Sequence, residues 1–430
     1  MDSNTIAILI LLGVFFGLLI IKVPITFALG LSATAAAIYM EIPLMSIVQQ
    51  IGKGISSFSL ITIPFFILAG EIMGQGGIST RLVNFSKVIV GRIRGGLAMV
   101  DVLACLFFGG LSGSSVADTT SIGSIMIPMM EQEGYDKDFA VCVTIASATQ
   151  GVLVPPSHNL ILYSLAAGGV SISSLFLAGI LPGIVLGGSV MLFSYFIAVK
   201  RKYPVSASIP FKQKIHMLKD GILGLFTAVI IMGGIMSGIC TATESAALAT
   251  VYAFIITFFV YKDVPMSRMG DILRKSLKTV AMVMGLIAAS AAFGWMIAMV
   301  QLPALVTSAL ITITDNKIVI FLLINLILLA LGMIMDMAPL ILIATPILLP
   351  VAISFGMDPI QFGIILMLNL GIGLLTPPVG STLFVGCSIG NISIEKVVKA
   401  LLPFYAVMVF VLLLLTFIPA ISLFIPHMFG

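Results

Sequence analysis

Long apolar runs separated by short polar stretches fill most of the chain. The runs approach or reach the roughly 20 residues that a helix needs to cross a bilayer, and they are too long for barrel strands. The pattern therefore predicts an all-α polytopic membrane protein. Uninterrupted helices are predicted at 5–21, 23–40, 58–75, 176–199, 220–239, 243–261, 279–300 and 402–425.

Four further apolar segments are interrupted in the middle. Pro-Pro pairs break 138–169 and 360–390, and we predict a broken helix in each. The sequences SGSS and MDMAP break 96–131 and 318–352, which are too long for one crossing and contain no polar loop. We interpret these two as re-entrant hairpins, which are tolerated only where protein or water surrounds the tip.

The chain contains an internal duplication. Residues 145–172 and 367–394 align so that Pro155 and Pro156 match Pro377 and Pro378, a shift of 222 residues (377 − 155). Gly, Pro and Asp matches at one shift indicate duplication more strongly than apolar matches do. The same shift relates Gly110 to Gly332, Pro128 to Pro350, Gly134 to Gly356, Asp136 to Asp358, Gly151 to Gly373 and Ser171 to Ser393.

The distribution of basic residues predicts the orientation. If Asp2 is periplasmic, every Lys and Arg except Lys53 and Lys317 falls on the cytoplasmic side. Each half then has five crossings and one hairpin, and because five is odd the second half is inverted. Both termini are predicted to be periplasmic, in a multi-pass protein.

The predicted domain organisation follows from these elements. Repeat one is 1–200, with scaffold helices in 1–95 and 176–200, hairpin 96–131 and broken helix 138–169. A cytoplasmic linker, 201–219, leads to repeat two, 220–430, with scaffold helices in 220–301 and 402–425, hairpin 318–352 and broken helix 360–390. The amphipathic stretches 44–57 and 265–278 are predicted to be interfacial helices, with a plain loop as the alternative for 44–57.

Composition narrows the range of possible functions. The chain is 60% hydrophobic and 9% charged, against about 25% charged in soluble domains. No basic patch with aromatic residues indicates nucleic acid, and membrane lipids are the expected surroundings. The four cysteines lie in apolar segments without metal-ligand spacing. No phosphate-binding loop or His-Glu-x-x-His motif is present, so we expect no enzyme.

The residues that could bind an ion or a substrate lie at these interruptions. Proline frees backbone carbonyls, and carbonyls with hydroxyls form a hard-oxygen cluster that suits Na⁺. The candidates in repeat one are Ser112, Gly113, Ser114, Ser115, Asp118, Thr149, Gly151, Pro155, Pro156, Ser157, His158 and Asn159. Those in repeat two are Gly332, Asp336, Met337, Ala338, Gly373, Thr376, Pro377, Pro378 and Ser381. The predicted Na⁺ ligands are Ser112, Ser114, Gly151, Gly332, Asp336, Gly373 and Thr376.

Structural alternatives stay open for several of these residues. Asp336 and Asp118 could each cap a helix, Glu244 could stabilise a helix N-terminus, and His158 could serve packing. Gly179, Gly183 and Gly187 recur every four residues, which predicts close helix packing.

The predicted core contains no Lys or Arg, so an anionic substrate would be held by half-helix N-termini, hydroxyls and bound cations, which predicts cation-coupled binding. Because one charge crossing 100 mV is worth about 2.3 kcal/mol, profitable import of a monoanion needs at least two Na⁺.

Six stretches together resemble one family. They are IPFFILAGEIM (63–73), FFGGLSGSSVADTTSIGSIMIPMM (107–130), GVLVPPSHNLILY (151–163), GICTATES (238–245), LGMIMDMAPLILIATPILLPVAISFGMDPIQFG (331–363) and NLGIGLLTPPVG (369–380). The chain resembles the large membrane subunit (M component) of tripartite ATP-independent periplasmic (TRAP) transporters over essentially its whole length. Ala242 stands where that family more often has Pro.

The resemblance implies an elevator-type, Na⁺-driven importer of an organic acid in the bacterial inner membrane. It also implies two partners, a small four-helix membrane subunit (Q component) and a soluble periplasmic substrate-binding protein (P component). Sialic acid and C4-dicarboxylates are the expected substrate classes. The alternatives are a stand-alone Na⁺/carboxylate symporter and, remotely, an intramembrane aspartyl protease that uses Asp118 and Asp336.

Overall fold

The computed structural model describes residues 3–205 and 209–429, and every regular element in these ranges is helical. This confirms the all-α class. Six helices there are long and apolar enough to cross a membrane, or seven if the bent pair Lys137–Leu153 and His158–Ala166 is one span. Asp2, the reference for the predicted orientation, and residues 206–208 of the predicted linker lie outside the described residues.

The helices of the first half run as far as Lys200, and a 3₁₀ turn (Phe58–Ile61) leads into the fourth. They are α1 (Ser3–Ile20), α2 (Ile25–Tyr39), α3 (Leu44–Ile55), α4 (Thr62–Gln75), α5 (Ile78–Val90), α6 (Gly96–Ser112), α7 (Ser115–Ser121), α8 (Gly123–Gln132), α9 (Lys137–Ala148), α10 (Gln150–Leu153), α11 (His158–Ala166) and α12 (Ile172–Lys200).

In the second half, a π-helical turn (Ile256–Tyr261) extends the second helix and a 3₁₀ turn (Met266–Arg268) precedes the third. The helices are α13 (Phe211–Met236), α14 (Ala242–Ile255), α15 (Met269–Met299), α16 (Leu302–Ile313), α17 (Lys317–Gly332), α18 (Met337–Ser354), α19 (Pro359–Gly373), α20 (Ser381–Ile389), α21 (Ile394–Phe417) and α22 (Pro419–Phe429).

Equivalent helices in the two halves begin at the same 222-residue shift that relates the two Pro-Pro pairs. α9 and α19 begin 222 residues apart (359 − 137), and so do α12 and α21 (394 − 172). The order of elements therefore matches the duplication seen in the sequence. The opposite orientation of the two halves in the membrane stays a prediction.

Several elements differ from the sequence-based expectations. The stretch 265–278 is not a separate interfacial helix, because α15 continues without a break into the predicted span 279–300 and no proline interrupts it. The corresponding stretch 44–57 does form a separate helix, α3. The short helices α5 and α16 were not predicted. α13 begins at Phe211, so residues 211–219 of the predicted linker are helical.

The centre of the fold is built from the two broken helices. Every residue from Phe139 to Ala148 in α9 is buried, and so is every residue from Gln361 to Gly373 in α19. A helix that is apolar on all sides lies inside a protein or a membrane, and here protein surrounds both helices. The broken helices therefore form the core against which the other helices pack.

The outer helices have two sets of neighbours. Helices α1–α5 pack mainly with α13–α15 and with one another, and α5 also packs on α6, whereas α12 and α21 pack on α9 and α19. The assignment of 176–200 and 402–425 to the scaffold stays a prediction. Small residues permit the packing of α12, because a Cβ on Gly179 would lie 2.1 Å from the Leu153 carbonyl oxygen. The glycine face of α12 therefore packs closely against the interrupted part of the first broken helix.

A polar cluster ties the linker to the start of α9. Arg201 donates to Asp136 at 2.8 Å and to Asp138 at 3.2 Å, and the Tyr203 hydroxyl donates to Asp136 at 2.7 Å. The hydrogen bond from Tyr203, and then the guanidinium of Arg201, lower the pKa of Asp136 from its ordinary value. The cluster anchors the first residues after α12 to the first broken helix.

Candidate functional site

The tip of the first hairpin is a short polar turn between α6 and α7. Gly113 has a φ of +62°, a left-handed conformation that glycine adopts without strain. Ser114 caps α7 by accepting a hydrogen bond from the Ala117 amide at 3.4 Å. The hydroxyl of Ser112 accepts from the Ser114 amide at 3.1 Å. The turn thus keeps two hydroxyl oxygens next to the start of α7.

Asp118 lies in the first turn of α7 and is fully buried. Its Oδ1 accepts a hydrogen bond from Ser112, whereas its Oδ2 has no partner among the described residues. Oδ2 lies beside Gly151, where an added Cβ would be 2.2 Å from it. Burying a carboxylate is costly unless its charge is compensated. Ser114 already caps α7, so capping does not account for the burial of Asp118.

The first broken helix lies directly against this tip. Its two parts, α9–α10 and α11, meet at an angle of 49°. A Cβ on Gly109 would lie 2.4 Å from the Cα of Gly151, so only glycine permits this contact of α6 and α10. Asn159 donates through Nδ2 to the Gly113 carbonyl at 3.1 Å. The structure thus brings Asn159 and Gly151 to the hairpin tip, as the sequence predicts.

The remaining first-half candidates lie around the same turn. Ser157 is fully buried, and its hydroxyl has no partner among the described residues. The imidazole Nδ1 of His158 would be 3.2 Å from a Cβ on Gly113. Pro155 and Pro156 are buried between these residues and α10. Thr149 donates back to the Ile145 carbonyl at 3.3 Å, so its hydroxyl is already used within its own helix.

The second half repeats the backbone arrangement. A Cβ on Gly373 would lie 2.6 Å from the carbonyl carbon of Gly332, so α17 and α19 also meet at two glycines. The Val379 amide donates to the Met333 carbonyl at 3.1 Å, which joins the second break to the second hairpin tip. The break contains Pro377 and Pro378. The hydroxyl of Thr376 donates to the Ile372 carbonyl at 2.8 Å.

Asp336 occupies a different environment from Asp118. It caps α18 by accepting a hydrogen bond from the Met337 amide at 2.9 Å, and it is exposed. Met337 is buried, and Ala338 is partly buried. Nearby, the hydroxyl of Ser381 is buried without a partner among the described residues. The structure therefore does not place Asp336 in the buried cluster that contains Asp118.

The two halves meet at their interruptions. Thr382, in the first turn of α20, donates to the hydroxyl of Ser115 at 3.2 Å, and both side chains are buried. A Cβ on Gly371 would lie 2.7 Å from the side chain of Thr149. The breaks are therefore neighbours in the core, as the duplication predicts.

A cavity of about 470 Å³ opens beside the first hairpin tip. Ser112, Ser114 and His158 line one wall of it. The opposite wall belongs to α4 and α15. The two walls touch at Gly70, where an added Cβ would be 3.5 Å from the Leu111 carbonyl oxygen, and they separate at Gly74, where nothing lies within 4 Å.

The wall of the cavity that α4 and α15 form, here called the scaffold wall, was not predicted. It carries the polar residues Glu71, Gln75, Lys275 and Thr279. Spacings of four residues, 71 to 75 on α4 and 275 to 279 on α15, put each pair on one helix face, but this pattern does not show that the two faces meet the hairpin tip. Lys275 therefore brings a cationic side chain to the cavity from the scaffold side, whereas the absence of Lys and Arg was predicted for the core.

Glu244 belongs to a helix cap and not to the site. Its carboxylate accepts from the amide of Thr241 at 2.8 Å, and the Thr241 hydroxyl accepts from the Glu244 amide at 3.3 Å. This reciprocal pair is a capping box at the start of α14. The structural interpretation of Glu244 is therefore the correct one.

The fold and the site together define a membrane permease, with a helical core of paired broken helices and a solute-sized cavity beside a polar hairpin tip. The family model described as "Tripartite ATP-independent periplasmic transporter, DctM component" matches residues 12–421, and the chain belongs to this family. The resemblance seen in the motifs is thereby confirmed.

Two relatives and one solved structure illustrate the similarity. The sialic acid TRAP transporter large permease protein SiaM of Vibrio cholerae is 39% identical over 96% of this chain and 97% of its own length. The C4-dicarboxylate TRAP transporter large permease protein DctM of Pseudomonas aeruginosa is 37% identical over 94% of each chain. The YdaH transporter of Alcanivorax borkumensis has a similar fold, with a TM-score of 0.65, 14% identity and coverage of 87% of this chain and 88% of that one.

Proposed function

We propose that the chain imports a small organic acid anion by Na⁺-coupled transport, as the large transmembrane subunit of a TRAP transporter in the bacterial inner membrane. Both termini are proposed to be periplasmic. The observation that carries the Na⁺ coupling is the buried, unpartnered Oδ2 of Asp118 beside Gly151. A carboxylate with neighbouring hydroxyl and carbonyl oxygens is a donor set that hard cations prefer.

The proposed Na⁺ ligands fall into two groups that follow the repeats. In the first, Ser112 and Asp118 lie together, and Ser114 and Gly151 border them. In the second, the backbone of Gly332 meets that of Gly373, with Thr376 one turn beyond. Asp336 is proposed to contribute its exposed carboxylate from the tip of the second hairpin. Two sites agree with the need for at least two Na⁺ per monoanion.

The substrate is proposed to bind in the cavity beside the first tip. Ser114 and His158 line this cavity, and Ser157 and Asn159 lie just behind them. Hydroxyl and imidazole groups at helix starts are suited to a carboxylate. Sialic acid and C4-dicarboxylates are the proposed classes, and the names of the two permease relatives support both.

The proposed mechanism is of the elevator type, in which the core slides against the scaffold. Its support is that the core helices pack on one another and that, along α4, the contact with the core at Gly70 is followed at Gly74 by space that no described residue fills. The tripartite family name supports two partners for this chain, a small membrane subunit and a periplasmic substrate-binding protein.

Solute uptake in proteoliposomes tests the proposal. The chain is reconstituted with and without candidate partner proteins, and labelled sialic acid or succinate is offered under an inward Na⁺ gradient or a matched K⁺ gradient. We expect accumulation only with Na⁺ and with both partners. Accumulation by the chain alone would favour a stand-alone symporter, and accumulation that is equal in K⁺ would contradict Na⁺ coupling.

A further inference from the structure

The scaffold wall of the cavity contains one cation–anion pair. Lys275 on α15 lies with its Nζ 3.9 Å from Oε1 of Glu71 on α4, and the two side chains are 64% and 33% exposed. Thr279 and Val283 continue the same face of α15 along the cavity. Among the described residues that line this cavity, Lys275 is the cationic one.

The two members of this pair are held differently. Glu71 also accepts a hydrogen bond from Nε2 of Gln75 at 2.7 Å, so its carboxylate keeps a partner when Lys275 leaves. In the described part of the chain, Glu71 is the one partner of the Lys275 ammonium group. A long, half-exposed ion pair is worth at most about 1 kcal/mol, so a competing anion can replace Glu71 at small cost.

We propose that Lys275 is an anion-binding residue of the substrate pathway, which accepts the organic acid from the hairpin tip by exchanging Glu71 for the substrate. This inference rests on the proposed function and adds a specific residue to it. Lys275 faces the same cavity as Ser112, Ser114 and His158, from the opposite wall. Its helix end is predicted to be cytoplasmic, so this contact belongs to release of the anion into the cell.

The exchange explains why an acidic residue lies in an anion pathway. Without Glu71, the ammonium group would hold the anion more tightly and slow its release. With Glu71 held in place by Gln75, the carboxylate returns to Lys275 when the anion departs. Removing Lys275 and removing Glu71 should therefore change the cytoplasmic affinity in opposite directions.

The test uses counterflow in inverted membrane vesicles that contain the complete transporter, with Na⁺ on both sides, so that the cytoplasmic face is outside. Labelled succinate and labelled sialic acid are the probes, and the half-saturating external concentration is measured. Lys275→Gln should raise it about two- to fivefold, and Glu71→Gln should lower it by a similar factor. Lys275→Arg should stay within about twofold of the wild type, because it keeps the charge.

Lys278→Gln is the matched control, since it removes the same charge from the same helix but Lys278 does not line the cavity. It should leave the half-saturating concentration unchanged. Equal effects of Lys275→Gln and Lys278→Gln, or effects of the same sign in Lys275→Gln and Glu71→Gln, would overturn the inference. Wild-type vesicles without any counterflow would instead overturn the proposed function, so the two failures are distinguishable.

Discussion

The two hairpin tips have the same backbone plan and different chemistry. Ser114 and Asp336 are 222 positions apart (336 − 114), and each caps the helix that follows its tip. One turn further on, Asp118 is buried in the first half, whereas the equivalent position in the second half is Leu340. The carboxylate therefore caps a helix at the second tip, whereas at the first it is buried in the core with one oxygen, Oδ2, that has no partner among the described residues.

The contacts between each hairpin and its own broken helix differ less between the two halves. Gly151 and Gly373 are equivalent, and both lie against glycine backbone of their own hairpin, at Gly109 and Gly332. The comparison teaches that the duplication has preserved close backbone approach at both breaks. The buried acidic group that we propose for Na⁺ binding belongs to the first half alone.

Gly373→Ala should have the largest effect. Its Cβ would lie 2.6 to 2.7 Å from backbone atoms of Gly332, which cannot move as a side chain can. Such overpacking costs about 1–3 kcal/mol or more, and we expect at least a tenfold loss of uptake. Thermal unfolding and uptake measure the two effects.

Gly74→Ala is the control for this substitution, because nothing lies within 4 Å of the added Cβ. It should stabilise α4 by about 0.5–1 kcal/mol, as Ala does in place of Gly within a helix. If both variants lose stability equally, the glycine contact at the second break is not the cause.

Asp118→Asn should have the next largest effect, on Na⁺ coupling. The substitution keeps the shape of the side chain and removes the charge from one of the two proposed ligand groups, so uptake should need a higher Na⁺ concentration and fall by about tenfold or more. Uptake as a function of Na⁺ concentration is the measurement.

Asp101→Asn serves as the comparison, since Asp101 is also buried in the first hairpin but accepts a hydrogen bond from Thr144 at 2.7 Å. That variant should lose stability and keep the Na⁺ concentration for half-maximal uptake. A shift in this concentration that is equal in both variants would contradict the assignment to Asp118.

Substitutions at Asp336 separate its cap from its charge. Asp336→Ala should lower the free energy of unfolding by about 1 kcal/mol, whereas Asp336→Asn should preserve it, because Asn caps helices as well as Asp does. If the carboxylate also binds Na⁺, both variants should need more Na⁺ for half-maximal uptake. An unchanged Na⁺ requirement in the Asn variant would restrict Asp336 to its capping role.

Ser114→Ala should have the smallest effect on stability. The cap hydrogen bond to Ala117 is long, at 3.4 Å, so we expect a loss nearer 0.5 kcal/mol than 2. The measurement is thermal unfolding of Ser114→Ala, compared with that of Asp336→Ala. A larger loss for Ser114→Ala than for Asp336→Ala would contradict the weak cap that the long hydrogen bond indicates.

The sequence predicts the parts of this fold that depend on composition and on helix breakers. Apolar runs located most long helices, and Pro155 with Pro156 located a break that the structure places next to the hairpin tip. It did not predict α5 or α16, whose apolar stretches are too short for a crossing. It also did not predict which helix the glycine face of α12 contacts, because the pattern along a helix does not reveal its neighbours.

The candidate site was predicted only in part, because sequence patterns do not reveal contacts between elements that are far apart along the chain. The turn residues Ser112 and Gly113 follow from local sequence, and Asn159 follows from the Pro-Pro motif. The burial of Asp118 and the exposure of Asp336 depend on contacts between elements far apart in sequence. Lys275 was missed because it belongs to the scaffold, which the sequence does not connect to the tip.

The most direct measurement for the central claim is the unfolding temperature of the purified protein as Na⁺ replaces K⁺ at constant ionic strength, in the wild type and in Asp118→Asn. A ligand that binds only the folded state stabilises it by about 2.7 kcal/mol at 100 times its Kd. Na⁺ should therefore raise the wild-type unfolding temperature, and it should raise that of Asp118→Asn by less, because only the second group of ligands is intact there. Equal stabilisation of both proteins by Na⁺, or stabilisation of the wild type by acid and not by Na⁺, would contradict a sodium site at the first hairpin tip.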